Sequence, residues 1–366
     1  MQIIDDRRAL HAIPELEKDL PKTLDYVRLK LAFLSCQVFS PSQGSLCAWF
    51  DFGANSAIAF RSDMDALPVT EKTCAPYASQ HPGKMHACGH DGHMAMLLEL
   101  ARRLNGRKNM RKNVLLVFQC AEETPGGAKE ICDSGVFKKY KVEAIFGVHL
   151  WPGLEKGVLS SRKNEMLSRI CEVAVDIKGK AVHVGRASEG LDALAAAVEF
   201  YNRATAMEKA LPPDVPCLLK FGKLEGGAAR NVVAGQARLE GTLRCFRDDV
   251  FHNLRSGLVT LAKDLEDSTG CTVDIHMPDG YPAVINDPEL FDKVCAMVPV
   301  QQLEEPLMIS EDFSWYQRFV PGVFFLLGIG DAPALHANNF DFDESVLLKG
   351  VEFYETIIQK YNEVTK

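Results

Sequence analysis

Nine consecutive residues, Met85 to His93, read M-H-A-C-G-H-D-G-H and bring three histidines, one cysteine and one aspartate into a single stretch. Imidazole, thiolate and carboxylate are the groups that ligate borderline transition metals, and Gly89 and Gly92 let the backbone turn tightly enough to aim several of them at one point. Small structural zinc modules need two compact ligand pairs, and no C-x-x-C occurs anywhere in the 366 residues. The run is therefore half of a metal site. Its missing ligands must come from distant parts of the chain, which demands a fold that collects polar residues at the ends of buried strands.

The first 160 or so residues carry that pattern. Helix-like spacing at Thr23 to Phe33 and His93 to Leu104 alternates with strand-like runs at Ala57 to Phe60 and Val114 to Phe118. Three apolar runs end in polar clusters: AIAF enters RSDMD, VLLVF enters QCAEET, and AIFGV enters HLWP. In open α/β sheets the carboxyl ends of strands line the ligand crevice, so these clusters are expected to converge.

From about Ser168 the succession becomes β-α-β-β-α-β: ICEVAVDIKG, a helix across Leu191 to Glu208, strands near Pro216 to Leu224 and Asn231 to Arg244, a helix across Val250 to Asp267, then CTVDIHMP. That order describes a ferredoxin-like α+β unit, assigned to residues 168–278. A helix at Asp287 to Met297, a buried strand at Val323 to Gly328 and an amphipathic helix at Glu344 to Tyr361 then complete the first domain. The expected fold is thus α/β: a catalytic domain (residues 1–167 and 279–366) with a mixed, mainly parallel sheet flanked by helices, plus an inserted lid.

Composition narrows the function. With 41 basic against 49 acidic residues and a formal charge of -8, nonspecific binding to nucleic acid is not expected. The longest apolar runs fall far short of a bilayer span, and the N-terminus opens on charge without a cleavable leader, so neither membrane insertion nor secretion is expected. Eleven cysteines, an odd number without framework spacing, point to a reducing cytoplasm. All but Cys88 read as small packing residues.

Adjacent Glu122 and Glu123 follow a buried strand and precede PGGAK. Paired glutamates are common in solvated loops; beside a His/Cys cluster, one can ligate a cation while the other accepts a proton from water activated there. His149 ends the run AIFGV, and His336 lies in the loop DAPALHANNFDFDE. Each is a weak signal alone. Together Cys88, His90, Glu123, His149 and His336 supply enough ligands for one or two metals. Asp63 and Asp65, two apart, are either a turn-capping pair or carboxylates that orient a ligating imidazole.

These motifs resemble those of the dinuclear metallohydrolases that include aminoacylases, carboxypeptidase G and the indoleacetyl-amino-acid hydrolases. RRALHAIPEL, RSDMDALPVTE, MHACGHDGH, FQCAEETPGGAKEI, GVHLWPG, MISEDFSW and the late His336 follow in the order of the amidohydrolase branch. The run PYASQHPGKMHACGHD is especially similar to N-acetyldiaminopimelate deacetylases. The resemblance implies two divalent metals per subunit, zinc, manganese, cobalt, nickel or iron, held by Cys88, His90, Glu123, His149 and His336. It implies Glu122 as general base, Asp63 as a catalytic-site residue, His183 near the scissile carbonyl and Asn231 at the substrate. It further implies a lid that dimerises, hence a homodimer or homotetramer. Arg230 and Arg244 are candidates for a substrate carboxylate, because guanidinium pairs with carboxylate bidentately. The chain departs from many relatives at Ala187-Ser188, where a Pro-His pair is common, and at Thr124, where glycine is common.

The expected activity is hydrolysis of an N-acyl amino acid, with release of acetate from N-acetyldiaminopimelate foremost. Other N-acyl or aromatic-acyl amino acids and dipeptides are the enzymatic alternatives. A nonhydrolytic metal-binding protein and a thiol enzyme using Cys88 as nucleophile are the alternatives of other classes.

Overall fold

The computed structural model describes residues 2–363, which form two compact units. Among the described residues, the larger comprises 2–166, 285–306 and 312–363, and the smaller 167–284 and 307–311.

The larger unit is built on an eight-stranded mixed sheet. Its centre is four adjacent parallel strands, in the spatial order Asn113–Gln119, Ala57–Asp63, Val142–Trp151 and Gly322–Gly328. Strand Leu46–Phe50 runs antiparallel beside Asn113–Gln119 and carries Gln37–Phe39 at one edge; Leu159–Ser161 and Gln301–Gln302 form the other. Every residue of Ala57–Asp63, Asn113–Gln119 and Gly322–Gly328 is buried, which is why these segments read as continuous apolar runs rather than alternating ones. Ile58, Phe60, Leu116, Phe118, Phe146 and Phe325 join the core together with residues of the helices His90–Leu104 and Leu347–Asn362.

The chain passes from Ala57–Asp63 to its neighbour on one side and then returns to Val142–Trp151 on the other. The order of strands therefore reverses at Ala57–Asp63, and such a reversal opens a crevice beyond the carboxyl ends. Asp63, Gln119, His149 and Trp151 all lie at those ends.

The smaller unit has four antiparallel strands in the order Thr272–His276, Arg169–Lys178, Gln236–Cys245, Cys217–Gly226, with helices Ala193–Lys209 and Asp248–Thr269 packed together. This is the β-α-β-β-α-β arrangement expected. Its core of Val173, Val175, Ile177, Phe200, Leu239, Phe251 and neighbours is separate from that of the larger unit.

Several boundaries shift. The helix expected from His93 begins at His90, placing His90 and Asp91 in its first turn. The strand expected from Asn231 begins at Gln236, leaving Asn231 in a loop. The closing helix spans Leu347–Asn362 after a separate turn of 3-10 helix at Glu344–Val346. Residues 279–284 and 307–311 group with the smaller unit rather than the larger. There the Ser168 amide donates to Leu307 O and Ile309 O, and Arg244 Nη1 donates to Met308 O at 2.6 Å. All eleven cysteines are free thiols. Cys74, read as a packing residue, is instead exposed in a loop at φ 57°. Among the described residues no helix is long and apolar enough to cross a membrane.

Candidate metal centre

The run Met85 to His93 straddles the start of a helix. Gly89, at φ +85°, makes the turn that a Cβ would strain, and the helix begins at His90. Of the five potential ligands in the run, the structure commits Asp91 and His93 elsewhere, and the third, His86, joins none of the donor groups although neither of its ring nitrogens has a hydrogen-bond partner among the described residues. His86 is fully buried, packs near His11 with ring centroids 6.4 Å apart, and is pushed by burial down to about 3. Asp91 faces Arg7 and His11. His93 accepts the Leu150 amide at Nε2 (2.9 Å), so its proton sits on Nδ1 and is donated to Asp63 Oδ1 at 2.6 Å. With both nitrogens engaged, His93 is not a ligand, although it lies close to Asp63 and His90.

Cys88 and His90 remain. His90 donates from Nδ1 to the backbone carbonyl of Asp65 at 2.8 Å, which fixes the tautomer and leaves Nε2 bare. His149 does the same through Nδ1 to Leu150 O (2.7 Å), and its Nε2 lies 3.5 Å from Cys88 Sγ. His336 adopts φ 67°, and its amide donates to Ala87 O at 2.8 Å, bringing its loop against the Cys88 turn. Its Nε2 lies 3.3 Å from Glu123 Oε1.

Two donor groups result, each with ligand atoms within 4.8 Å of one another: Cys88, His90 and His149, and Cys88, Glu123 and His336. They share Cys88. A third, His90 with Glu122 and Glu123, joins the base pair to the first. His90 Nε2 and Glu123 Oε1 are buried without a hydrogen-bond partner among the described residues. Buried polar atoms are rarely left so, and a divalent cation among these soft and borderline donors would satisfy both. The residues present fit such a cation.

The electrostatics agree. Burial opposes the His90 imidazolium, yet Asp63, Asp65 and Glu123 outweigh it and hold the group up to about 10, so the pocket favours a positive charge at Nε2, which a divalent cation would supply in place of the proton. Burial raises the Cys88 thiol well above its ordinary value, and the carboxylates of Glu123, Glu122 and Asp63 raise it further. A nucleophilic thiol needs the opposite, an electropositive and partly exposed setting. Cys88 is therefore poorly placed as a nucleophile and well placed as a ligand whose proton a cation displaces.

The Glu pair is held from below. The Glu122 amide donates to Asp65 Oδ1 at 2.9 Å and the Glu123 amide to Asp65 Oδ2 at 3.1 Å. Close beneath, a Cβ on Gly127 would sit 2.0 Å from Cys120 O, so the PGGAK loop can close only with glycine there. Asp63 accepts from Arg61 Nη1 at 2.7 Å as well as from His93, and these partners with His90 hold its carboxyl well below the usual range against the effect of burial. Arg61 also donates to Gln119 (2.8 Å) and Asp312 (2.9 Å), and Asp312 Oδ2 accepts the amides of Gly127 and Ala128 at 3.0 Å each. Arg61 and Asp312 lie within the motifs RSDMD and MISEDFSW, where spacing alone gives neither a role. A charged residue inside a buried strand was the available signal.

His183, Arg230, Asn231 and Arg244 belong to the smaller unit. His183 is exposed and pairs with Val232 across an isolated bridge, while the Val184 amide donates to Asn231 O at 3.0 Å, so His183 and Asn231 sit on adjoining segments. His183 Nδ1 accepts the Gly185 amide at 3.1 Å, which leaves Nε2 as a donor. Arg230 is exposed beside Asn231; Arg244 is half-buried, with one nitrogen taken by Met308 O.

Residues 59–360 match the family described as Peptidase family M20/M25/M40. A Staphylococcus aureus protein called an uncharacterized hydrolase is 31% identical over 373 residues, covering 98% of this chain and 97% of its own. A Streptococcus uberis N-acetyldiaminopimelate deacetylase is 32% identical over 372 residues, covering 98% of this chain and 99% of its own. Among solved structures, a Bacillus subtilis protein described as a dinuclear metal binding peptidase from the M20 family superposes with a TM-score of 0.83 at 26% identity, covering 98% of this chain and 97% of that one.

Proposed function

The chain belongs to peptidase family M20/M25/M40 and is a metal-dependent amidohydrolase; we propose that it removes the acyl group from an N-acyl amino acid, with N-acetyldiaminopimelate as the substrate. The observation that carries this reading is the adjacent Glu122 and Glu123, the first buried and the second half-buried, their two amides gripped by Asp65, beside two donor groups that share Cys88. The relatives called N-acetyldiaminopimelate deacetylases, at 32% identity over nearly the whole chain, support the choice of substrate.

In this reading Cys88, His90 and His149 would hold one divalent ion, and Cys88, Glu123 and His336 would hold a second. When bound, such ions supply Lewis-acid polarisation and make water acidic enough to lose a proton near neutral pH. Glu122 accepts that proton and returns it to the departing amine, so one carboxylate serves as base and then as acid. Asp65 fixes where the Glu122 side chain starts, and Asp63, held ionised by Arg61 and His93, faces His90 at 3.7 Å. His183, with its Nε2 proton available, donates to the carbonyl oxygen as negative charge develops there. Asn231 contacts the substrate, and Arg230, on the same loop, pairs with its carboxylate; Arg244 stands at the far end of strand Gln236–Cys245 and does not share that contact.

The lid also offers a surface for a second copy. Strand Cys217–Gly226 is an edge strand, exposed over most of its second half, and Leu194, Val198 and Tyr201 are exposed on the helix Ala193–Lys209. Homodimerisation through this edge, in the cytoplasm, completes the reading.

The test is amine release from N-acetyl-L,L-diaminopimelate beside N-acetyl and N-benzoyl amino acids and dipeptides, on protein stripped of metal and resupplied with single divalent ions. Metal-dependent turnover that is best on the diaminopimelate compound is expected. A stronger preference for another acyl group, consistent with Ala187-Ser188 in the lid, would retain the mechanism and replace the substrate. No turnover with any ion would overturn the reading.

A further inference from the structure

The N-terminal helix Gln2–His11 sends a guanidinium into the larger unit that meets three carboxylates. Arg7 is 0% exposed. Its Nε donates to Asp91 Oδ2 at 2.8 Å, its Nη2 to Asp341 Oδ1 at 2.8 Å, and its Nη1 to Glu344 Oε1 at 3.3 Å. The ring of Phe342 lies 4.6 Å from the guanidinium carbon and that of Tyr77 4.9 Å. Asp91 is also the acceptor for His11 Nδ1, 2.8 Å away.

The partners are unequal in kind. Asp91 follows His90 directly in the first turn of its helix, a position where a carboxylate is favoured by the helix dipole. Asp341 and Glu344 lie on the segment that follows His336. One planar group thus ties the turn bearing Cys88 and His90 to the segment bearing His336, the two stretches that the His336 amide and Ala87 carbonyl already join at 2.8 Å. A buried ion cluster of this kind is an inefficient source of stability, because desolvating the charges offsets most of the attraction. It is an effective way of fixing register, since the fork geometry of arginine allows few arrangements of three carboxylates.

We propose that Arg7, through Asp91 and Asp341, is a positioning residue for the metal centre: it sets the separation between the Cys88–His90 turn and the His336 loop, and with it the affinity of the shared site. This rests on the metal-ligand assignment made above. It assigns to the N-terminal helix a part in metal binding at a distance, without contact with either ion.

The test compares wild type with Arg7→Lys and with Asp341→Ala, whose carboxylate is 32% exposed and whose loss the fold tolerates more readily. Metal-free proteins are first unfolded with urea to compare stability. Each is then titrated with cobalt(II) in competition with a chelator, the visible absorption of the bound ion being recorded, and kcat and KM are measured with the same ion. The expected result is a cobalt affinity weakened by about tenfold or more, the scale on which outer partners act, with an altered absorption band and a lowered kcat at little-changed KM, while the metal-free unfolding midpoint of at least one variant stays at the wild-type value. A folded variant that binds cobalt with wild-type affinity and spectrum overturns the inference. If wild-type protein itself takes up no cobalt, the ligand assignment fails, and the inference with it; if wild type and variants bind differently yet none turns over substrate, only the substrate reading fails.

Discussion

Asp65 accepts the backbone amide of Glu122 at 2.9 Å, and its second oxygen accepts that of Glu123 at 3.1 Å, while its own carbonyl receives the Nδ1 proton of His90. One residue therefore orients a ligand through its backbone and the proposed base through its side chain. Replacement by Asn presents an amide NH2 to one of the two N–H groups. We expect Asp65→Asn to keep metal and lose turnover on the order of a hundredfold, the penalty of misplacing a reacting group by about 1 Å. Metal content with kcat is the measurement, and wild-type kcat would remove Asp65 from the positioning of Glu122.

Glu122 is buried within reach of His90 and Glu123. Glu122→Gln preserves shape and removes proton acceptance. Turnover is expected to fall by roughly 10²- to 10⁴-fold, the range of general base catalysis, with metal content and fold unchanged. Near-normal activity would assign the base elsewhere.

Cys88 belongs to both donor triads and His149 to one. Cys88→Ala should lower occupancy of both ions, and His149→Ala chiefly of one, each by at least the roughly 10- to 100-fold in affinity that even outer partners command. Elemental analysis after dialysis separates these outcomes. Full occupancy in Cys88→Ala would show that the thiolate is not shared. His93→Gln, by contrast, removes no ligand and should act on Asp63 and the His149 strand, since His93 bridges Asp63 and the Leu150 amide.

The parts of this arrangement that were legible in sequence are those where local chemistry and period coincide. Apolar runs such as VLLVF ending in QCAEET mark a strand and its functional end together, because parallel strands buried on both faces have continuous apolar sequence. The sorting of the Met85 to His93 run was not legible. His86, His90 and His93 are the same residue type within eight residues, and which ring nitrogens are engaged is decided by distant partners: the Asp65 carbonyl for His90, and Asp63 and the Leu150 amide for His93. Nor could spacing reveal that Arg7 meets Asp341, or that Asp312 receives the amides of Gly127 and Ala128, because these contacts exist only after the sheet has formed. The start of the helix at His90 was missed by three residues because Gly89 and Gly92 read as loop, whereas Gly92 lies inside the helix against Leu150 and Phe342.

His11 supplies a pH dependence of stability. It is buried, with Nδ1 donating to Asp91 at 2.8 Å and Nε2 to Glu71 at 3.3 Å. Burial alone would expel the proton, but the charge of Asp91 and the hydrogen bonds to Asp91 and Glu71 prevail and lift the group from 6.5 to about 9. In the unfolded chain the imidazole titrates near its ordinary value of about 6.5. The folded state thus holds a proton that the unfolded state releases, so this contribution is complete below about pH 6.5 and is lost as pH rises through about 9. At about 1.4 kcal/mol per unit, it is worth on the order of 3 kcal/mol at most. Urea unfolding of metal-free protein at pH 6, 7.5 and 9 should show stability declining across the alkaline half of that range, and His11→Gln should be less stable at pH 6 and flatten the decline. Parallel slopes in the two proteins would mean that His11 does not carry this proton, and the charge opposite Asp91 would then rest on Arg7 alone.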